Sequence, residues 1–312
     1  SVKVRYIFSK IEINLIINFI LLFMFTRCSK NDLSTDNFEE IETVQEENQN
    51  NSEKKIFNFD KIECNNGFAN EFPCNKYDLL SWIPLSFFES ESANDNWGWT
   101  DSNSKREFVL QGLNDGLAFL DITDPQKVIY LGKLLSSSNP SDWRDVKIYN
   151  NHAFVVSEAS NHGLQVFNLK RLLDLNEFKT LNEDYIINDF GNAHNIAINA
   201  SSGFAYILGS ALYQGGPVFY DISIPEQPIL RGGFSDTSYI HDAQIITYKG
   251  EDQNYFGKEI LLGSNSDGGE TNQLIILDVT EKTNPELIST ISYSFGGYTL
   301  LVWIDENHRY FY

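Results

Sequence analysis

Basic residues are scarce in this chain. Lys and Arg number 23 against 43 Asp and Glu, a formal net charge of −20, and no Lys/Arg block interrupts the deficit. A nucleic-acid surface must neutralise phosphates with clustered cations, so nucleic acid is not an expected partner. Cysteine is nearly absent, at three residues among 312. Three catalytic signatures are missing altogether: the G-x-S-x-G elbow, the G-x-x-x-x-G-K-[S/T] phosphate loop and the H-E-x-x-H metal pair. Their absence weakens the common hydrolase readings without removing an enzyme whose residues are scattered among loops. Long stretches with a period of 3.6 are also lacking, which excludes a solenoid of helix pairs.

What is present begins with a basic head, Lys3, Arg5 and Lys10, followed by the apolar run INLIINFILLFMFT. That run has the length of a signal peptide and is short for a membrane span. Cys28 follows at once, then the polar stretch SKNDLSTDNFEEIETVQEENQNNSEKK. The order resembles a bacterial lipoprotein, with Cys28 carrying the lipid, although Arg27 stands where a small residue is preferred and Glu12 interrupts the head. A plain cleaved signal and an uncleaved anchor are the alternatives. Residues 1–28 are therefore expected to be an export and anchor segment. Residues 29–55, rich in Glu, Asn, Ser and Lys, are expected to be a flexible polar tether, because they cannot bury enough surface to offset ordering.

Cys64 and Cys74 lie in CNNGFANEFPC. Downstream of an export signal such a pair reads as a disulfide stapling the segment 56–96, with two free thiols as the alternative. No further Cys and no nearby His completes a zinc site.

The rest of the chain repeats itself. GLAFLDITDPQKVIYLGKL from Gly116 returns as GPVFYDISIPEQPILRGGF from Gly216 and as QLIILDVTEKTNPELISTI from Gln273, and GLQVFNL is a degenerate copy with Asn168 in the acidic place. Aligned on Asp121, Asn168, Asp221 and Asp278, the steps are 47, 53 and 57 residues. Between the copies recurs a second unit, RDVKIYNNHAFVVSE, HNIAINASSGFAYILGS and HDAQIITYKG with KEILLGS, each reading as strand, turn, strand. Four short strands per period is the size of a β-propeller blade. The expected fold is all-β, a propeller of four-stranded blades over 97–134, 144–190, 194–234 and 241–293. Only NLKRLLDLNEF, 168–178, reads as helical. The three aspartates are expected to be structural, each accepting backbone N–H bonds in the turn between third and fourth strands. Pro125, Pro225, Pro228 and Pro285 set φ near those turns and remove donors at an outer edge.

Together CNNGFANEFPCNKYDLLSWIPL, NDNWGWTD, EFVLQGLNDGLAFLDITDP, SDWRDVKIYNNHAFVVSE, NHGLQVFNL, GNAHNIAIN, GFAYILGS and YIHDAQIITYKG resemble the choice-of-anchor B family, bacterial cell-surface proteins with LVIVD-type repeats. The resemblance runs from about Cys64 to Gly269 in family order and implies an extracellular β-propeller without an established reaction. The end departs from the family: Leu300 and Leu301 stand where His and Gln are expected after GGYT. The expected propeller over 97–312 is therefore incomplete, four blades and the start of a fifth, and the chain reads as truncated.

Five histidines offer chemistry. His194 and His241 hold equivalent places before an inner strand, and Arg144 holds the third; radial symmetry brings such positions to one mouth. Arg144, Asp145, His194, Asn195, His241 and Asp242 are thus the candidate ligand ring, with His194, His241 and Asp242 as candidate ligands of a divalent metal. Contact with a ligand, metal or acid–base chemistry, and structural bonding between blades all suit this set. His152 and His162 read as surface residues, and His308 receives no role. The stretch GSNSDGGETN, with Asn265, Asp267 and Glu270, reads as a hairpin loop rather than a calcium loop. Trp97 and Trp99 share a strand face and read as packing residues before sugar-stacking ones. The expected function is an exported, lipid-anchored or secreted propeller at the bacterial cell surface or outer membrane, binding an extracellular protein or glycan. The alternative is an extracellular metal-dependent hydrolase or lyase.

Overall fold

The computed structural model describes residues 54–265, 273–292 and 299–312. Cys28, the export segment, nearly all of the tether, and Asp267 and Glu270 lie outside the described residues. The described residues belong to one compact unit, Asn50–Tyr312, and are all-β apart from three short 3-10 turns at Leu85–Phe88, Leu169–Leu172 and Leu212–Gly215.

The strand β1 (Lys55–Asn58) comes first, followed by a small hairpin of β2 (Phe68–Ala69) and β3 (Phe72–Pro73) inside the loop closed by the Cys64–Cys74 disulfide. The first large sheet then runs as a meander of β4 (Ala93–Thr100), β5 (Glu107–Leu113), β6 (Gly116–Asp121) and β7 (Lys127–Leu135). The second contains β8 (Arg144–Tyr149), β9 (His152–Ser157) and β10 (Leu164–Asn168). Next, β11 (Lys179–Leu181) crosses back to pair parallel with β7, and β12 (Tyr185–Ile187) completes the second sheet beside β10. The third sheet is β13 (Asn195–Asn199), β14 (Phe204–Leu208), β15 (Val218–Asp221) and β16 (Ile229–Gly233). The fourth is β17 (Ile240–Thr247), β18 (Glu259–Asn265), β19 (Gln273–Asp278) and β20 (Glu286–Ser292). Each sequence period thus contributes an antiparallel meander whose neighbouring strands follow chain order, except that β11 of the second period pairs with the first sheet.

Two details differ from the sequence reading. The first sheet has six strands, because β1 pairs antiparallel with β7 and β11 joins the same edge. Lys55, placed in the tether by composition, is therefore the first residue of a strand; its ammonium bonds Glu89 and lies 4.5 Å from the Phe178 ring. The helix expected over 168–178 is only the turn Leu169–Leu172, initiated by Asn168 Oδ1 accepting from Lys170 N. Leu169 and Leu172 are drawn into the core between the first two sheets, and a short buried turn supplies both contacts without a full helix.

Packing follows chain order. Phe108, Phe119 and Val146 lie in a core between the first and second sheets, Val156, Ile196 and Tyr220 between the second and third, and Phe219, Leu261 and Ile275 between the third and fourth. The outer face of the first sheet is covered by Phe57, Ile83 and Phe88, that of the fourth by Val302 and Ile304. A sheet covered on both faces needs apolar side chains at consecutive positions, which is why β6 and β18 are buried throughout rather than alternately. The aspartate turns form as expected. Asp121, Asp221 and Asp278 each accept the backbone N–H and hydroxyl of the residue two positions on, Thr123, Ser223 and Thr280. Their second oxygens bind Arg106, Arg231 and Lys258, so each carboxylate is saturated by its own sheet.

Successive sheets approach most closely at their first strands, β4 against β8, β8 against β13 and β13 against β17. After β20, residues 299–312 form a narrow antiparallel pair bridged at Ile304 and Phe311, laid beside β17 through a bond from Ile304 N to Gln244 Oε1.

Candidate functional site

The first strands carry a repeated pair of side chains where they begin: Asn94-Asp95, Arg144-Asp145, His194-Asn195 and His241-Asp242. Asp95 was not foreseen as the first member of this ring, although its distance from Asp145 is the same as that from Asp145 to Asn195. Each aspartate reaches across to the next sheet. Asp95 Oδ2 accepts from Val146 N at 3.1 Å, and Asp145 Oδ2 accepts from Ile196 N at 2.8 Å. Asn195 continues the series differently, its Nδ2 donating to Asp242 Oδ1 at 3.1 Å while its Oδ1 is shielded from solvent without a partner.

One cation serves these acids. Lys147 Nζ lies 2.6 Å from Asp145 Oδ1 and 3.6 Å from Asp95 Oδ2, and stands 4.7 Å from the Trp97 ring centroid. Lys147 follows Asp145 by two, so both project from one face of β8, a relation readable from strand periodicity. A single ammonium cannot hold three carboxylates ionised at low dielectric. Burial and the neighbouring Asp145 push Asp95 up, and burial and Asp145 push Asp242 up to about 6. Asp145 is held below the usual carboxylate range: burial opposes ionisation, but Lys147 and donated hydrogen bonds outweigh it.

Of the six candidate residues, the structure joins two pairs directly, Asn195 with Asp242 and His194 with His241. Their Nε2 atoms lie 2.7 Å apart, His194 Nδ1 is 2.5 Å from Glu158 Oε1, and His241 Nδ1 is 2.9 Å from the Leu300 carbonyl. Donor accounting constrains the protons. A carbonyl only accepts, so His241 Nδ1 carries hydrogen and donates; in a neutral ring its Nε2 is then an acceptor. His194 Nε2 must therefore donate. His194 Nδ1 makes the second hydrogen bond of that ring, to Glu158 Oε1. Burial first, and then the neighbouring His194, lower the affinity of His241 for a proton. Glu158 was missed in the sequence because it lies at the end of β9, 36 positions from His194, with no local pattern to mark it.

Aromatic groups surround the pair. The His194 ring is 6.2 Å from Trp143 and 6.0 Å from Tyr239, and Trp143 is 52% exposed. Gly209 makes the arrangement possible: its φ is +68°, and a Cβ there would stand 2.8 Å from His194 Cβ and 2.9 Å from the Tyr239 ring.

The other candidates go elsewhere. Arg144 is 1% exposed and directed between the first two sheets, donating to Leu113 O at 2.9 Å, Ser136 Oγ at 2.9 Å and His162 Nε2 at 2.7 Å. His162, read as a surface residue, is fully buried. Its Nδ1–H donates to Gly163 O at 2.9 Å, leaving Nε2 as the acceptor Arg144 requires. Burial and the guanidinium beside it lower the imidazole to about 4, and burial lowers Arg144 to about 10. His152 bridges Asn150 O and Glu226, and His308 Nδ1 accepts from Lys249 N. Trp99 is buried against Phe108, whereas Trp97 stays part-exposed beneath Lys147.

The proposed metal set is not assembled as three convergent ligands. Asp242 turns to Asn195 and the Lys147 cluster, and the two imidazoles bond each other. Among the described residues no group of three or more His, Cys, Asp or Glu is arranged to hold a metal ion. The arrangement offers instead an exposed indole, a hydrogen-bonded carboxylate–imidazole chain and a tyrosine ring, which suits contact with a polar ligand having a flat apolar face.

Two solved structures resemble parts of the chain. One is the complex of the fission yeast SREBP–SCAP binding domains, at 9% identity over 78% of this chain and 70% of that one, with a TM-score of 0.41. The other is the N-terminal domain of Nup159, at 11% identity over 70% of this chain and 51% of that one, with a TM-score of 0.35. No family model and no curated protein matches the sequence, so the reading of the site rests on its own geometry.

Proposed function

We propose that the chain is an exported, cell-surface β-propeller that binds an extracellular protein or glycan at the end where its first strands begin. The observation that carries this reading is the half-exposed Trp143 beside the Glu158–His194–His241 chain. Four meander sheets adjoining at their first strands support the propeller, because blades radiating from a common axis approach closest at the inner edge. Loops from several sheets then meet at one end while the strands hold them in place. The Cys64–Cys74 disulfide supports an oxidising compartment, and the basic head, apolar run and Cys28 support lipid anchoring. We also propose membership of the choice-of-anchor B family, on the long motifs between Cys64 and Gly269.

Trp143 fluorescence provides the test. Surface polysaccharide and surface-protein fractions titrated onto the full chain are expected to change its emission, and Trp143→Ala and His241→Ala to abolish binding without loss of fold. In a bacterial host, palmitate labelling is expected to depend on Cys28. Reduced cysteines in a cytoplasmic chain, together with no response to any fraction, would defeat the proposal.

A further inference from the structure

Three convergent ligands are absent from the histidine end, but the way its two imidazoles are held is itself informative. His194 Nδ1 is bonded by Glu158 Oε1 at 2.5 Å and His241 Nδ1 by the Leu300 carbonyl at 2.9 Å. An imidazole that binds a metal gives its other ring N–H to a carboxylate or a backbone carbonyl, which fixes the ring and points the remaining lone pair at the ion. Here one partner of each kind is in place, on two rings whose Nε2 atoms lie 2.7 Å apart. With hydrogen on both Nδ1 atoms the two Nε2 lone pairs face each other, so a proton or a cation must lie between them. In the metal-free protein it is the proton on His194 Nε2.

The shape of this bond favours a cation. The ring centroids are 4.2 Å apart and the ring planes inclined by 46°, whereas a linear N–H···N bond would hold the centroids about 5 Å apart. The bond is therefore bent, and an ion takes two ligands at an angle. Nitrogens bound to a tetrahedral ion at about 2.0–2.1 Å stand about 3.3 Å apart, so the pair at 2.7 Å opens by about half an ångström to admit one. Both histidines are part-exposed and Trp143 beside them is exposed, which leaves a route from solvent. Imidazole nitrogen suits zinc and copper, while calcium and magnesium take oxygen ligands. Asp242 has no part in the pair, since its Oδ1 accepts from Asn195. We propose that His194 and His241 bind one Zn²⁺ or Cu²⁺ ion through their Nε2 atoms, with Glu158 and the Leu300 carbonyl orienting the rings. The displaced Nε2 proton leaves to solvent, and the remaining coordination positions are open to water or to an oxygen of the bound ligand. This rests on the reading of the histidine end as the ligand-facing site and adds an ion to it.

The test uses the full chain and the metal alone. Pulsed electron paramagnetic resonance of the Cu²⁺ form is expected to show two imidazole nitrogens, and Zn²⁺ to compete for the same place. His194→Ala and His241→Ala, each with a melting curve, should lose this two-nitrogen signal, while His152→Ala and His308→Ala keep it. Glu158→Gln retains both ligands and is expected to weaken Zn²⁺ binding about 10–100-fold, as loss of an orienting partner does. The unaltered protein gives a reading that no folding defect can disturb: Zn²⁺ should remove the Nε2–H resonance between the rings and spare the His194 Nδ1–H. Absence of stoichiometric binding, fewer than two imidazole nitrogens in the unaltered protein, or two that persist in both His194→Ala and His241→Ala overturns the site. The surface fractions are titrated onto the same chain with and without a chelator. Fraction binding by a chain that takes no metal overturns the ion and leaves the binding face standing. Metal binding without response to any fraction supports the ion and places the failure with the ligand reading.

Discussion

His194 and His241 bond nitrogen to nitrogen at 2.7 Å although 47 positions separate them in the chain. The contact joins the beginnings of two first strands, and it works only because Glu158 and the Leu300 carbonyl settle which ring donates.

The hydrogen bond between His194 and Glu158 is directly observable. A strongly downfield, exchange-protected imidazole proton is expected in the NMR spectrum near neutral pH, assigned to His194 Nδ1–H. Glu158→Gln should remove it while leaving the melting temperature little changed. A spectrum without that resonance in the unaltered protein would refute this hydrogen bond.

Gly209→Ala tests the steric basis of the pair. The substitution puts a Cβ into a left-handed backbone and against His194 and Tyr239 together. A loss of about 1–3 kcal/mol is expected, read by urea unfolding. A change in Trp143 emission should accompany it if the His194 ring moves.

Arg144 and His162 couple the first two sheets. Arg144→Met leaves the Leu113 carbonyl and the His162 acceptor buried without donors, and a cost of about 3 kcal/mol is expected. The acid dependence has a definite sign. His162 is lowered in the folded state to about 4 from an ordinary 6.5, so the unfolded chain binds the proton first. Its contribution is constant above about pH 6.5 and is lost as pH falls from there toward 4. His162→Gln, which retains an acceptor for Arg144, should flatten this limb of stability against pH.

Asp242 slopes the opposite way. Its folded value is raised to about 6 from 3.8, so the folded protein holds the proton more tightly and stability declines as pH rises between those values. Asp242→Asn removes the penalty and should stabilise the protein by about 1–2 kcal/mol at pH 8 while doing little at pH 4. Thermal melts across pH on this variant and on His162→Gln separate the two opposing slopes. Equal effects of Asp242→Asn at both pH values would count against the carboxylate cluster.

Local features of the chain were readable in advance. The all-β class, the sheet-sized period, the turns at Asp121, Asp221 and Asp278 and the Cys64–Cys74 bond all depend on residues close in sequence, where spacing limits what can touch. Equivalent positions along the first strands were readable too, which is why His194 and His241 were expected at one end of the sheets, where their Nε2 atoms lie 2.7 Å apart. Equivalence failed to predict equal environments. Arg144 occupies the same step of the repeat as the two histidines, yet its length lets it reach Ser136 and His162 in the core instead of the surface.

The amino-acid order by itself determined that each period near fifty residues becomes one meander sheet, because alternating apolar runs and aspartate turns act over a few residues. Only the tertiary structure decided that Glu158 bonds His194 and that His162 is buried and neutral. Those outcomes depend on distances between sheets, and such distances follow from how side chains from separate periods pack, not from their spacing along the chain.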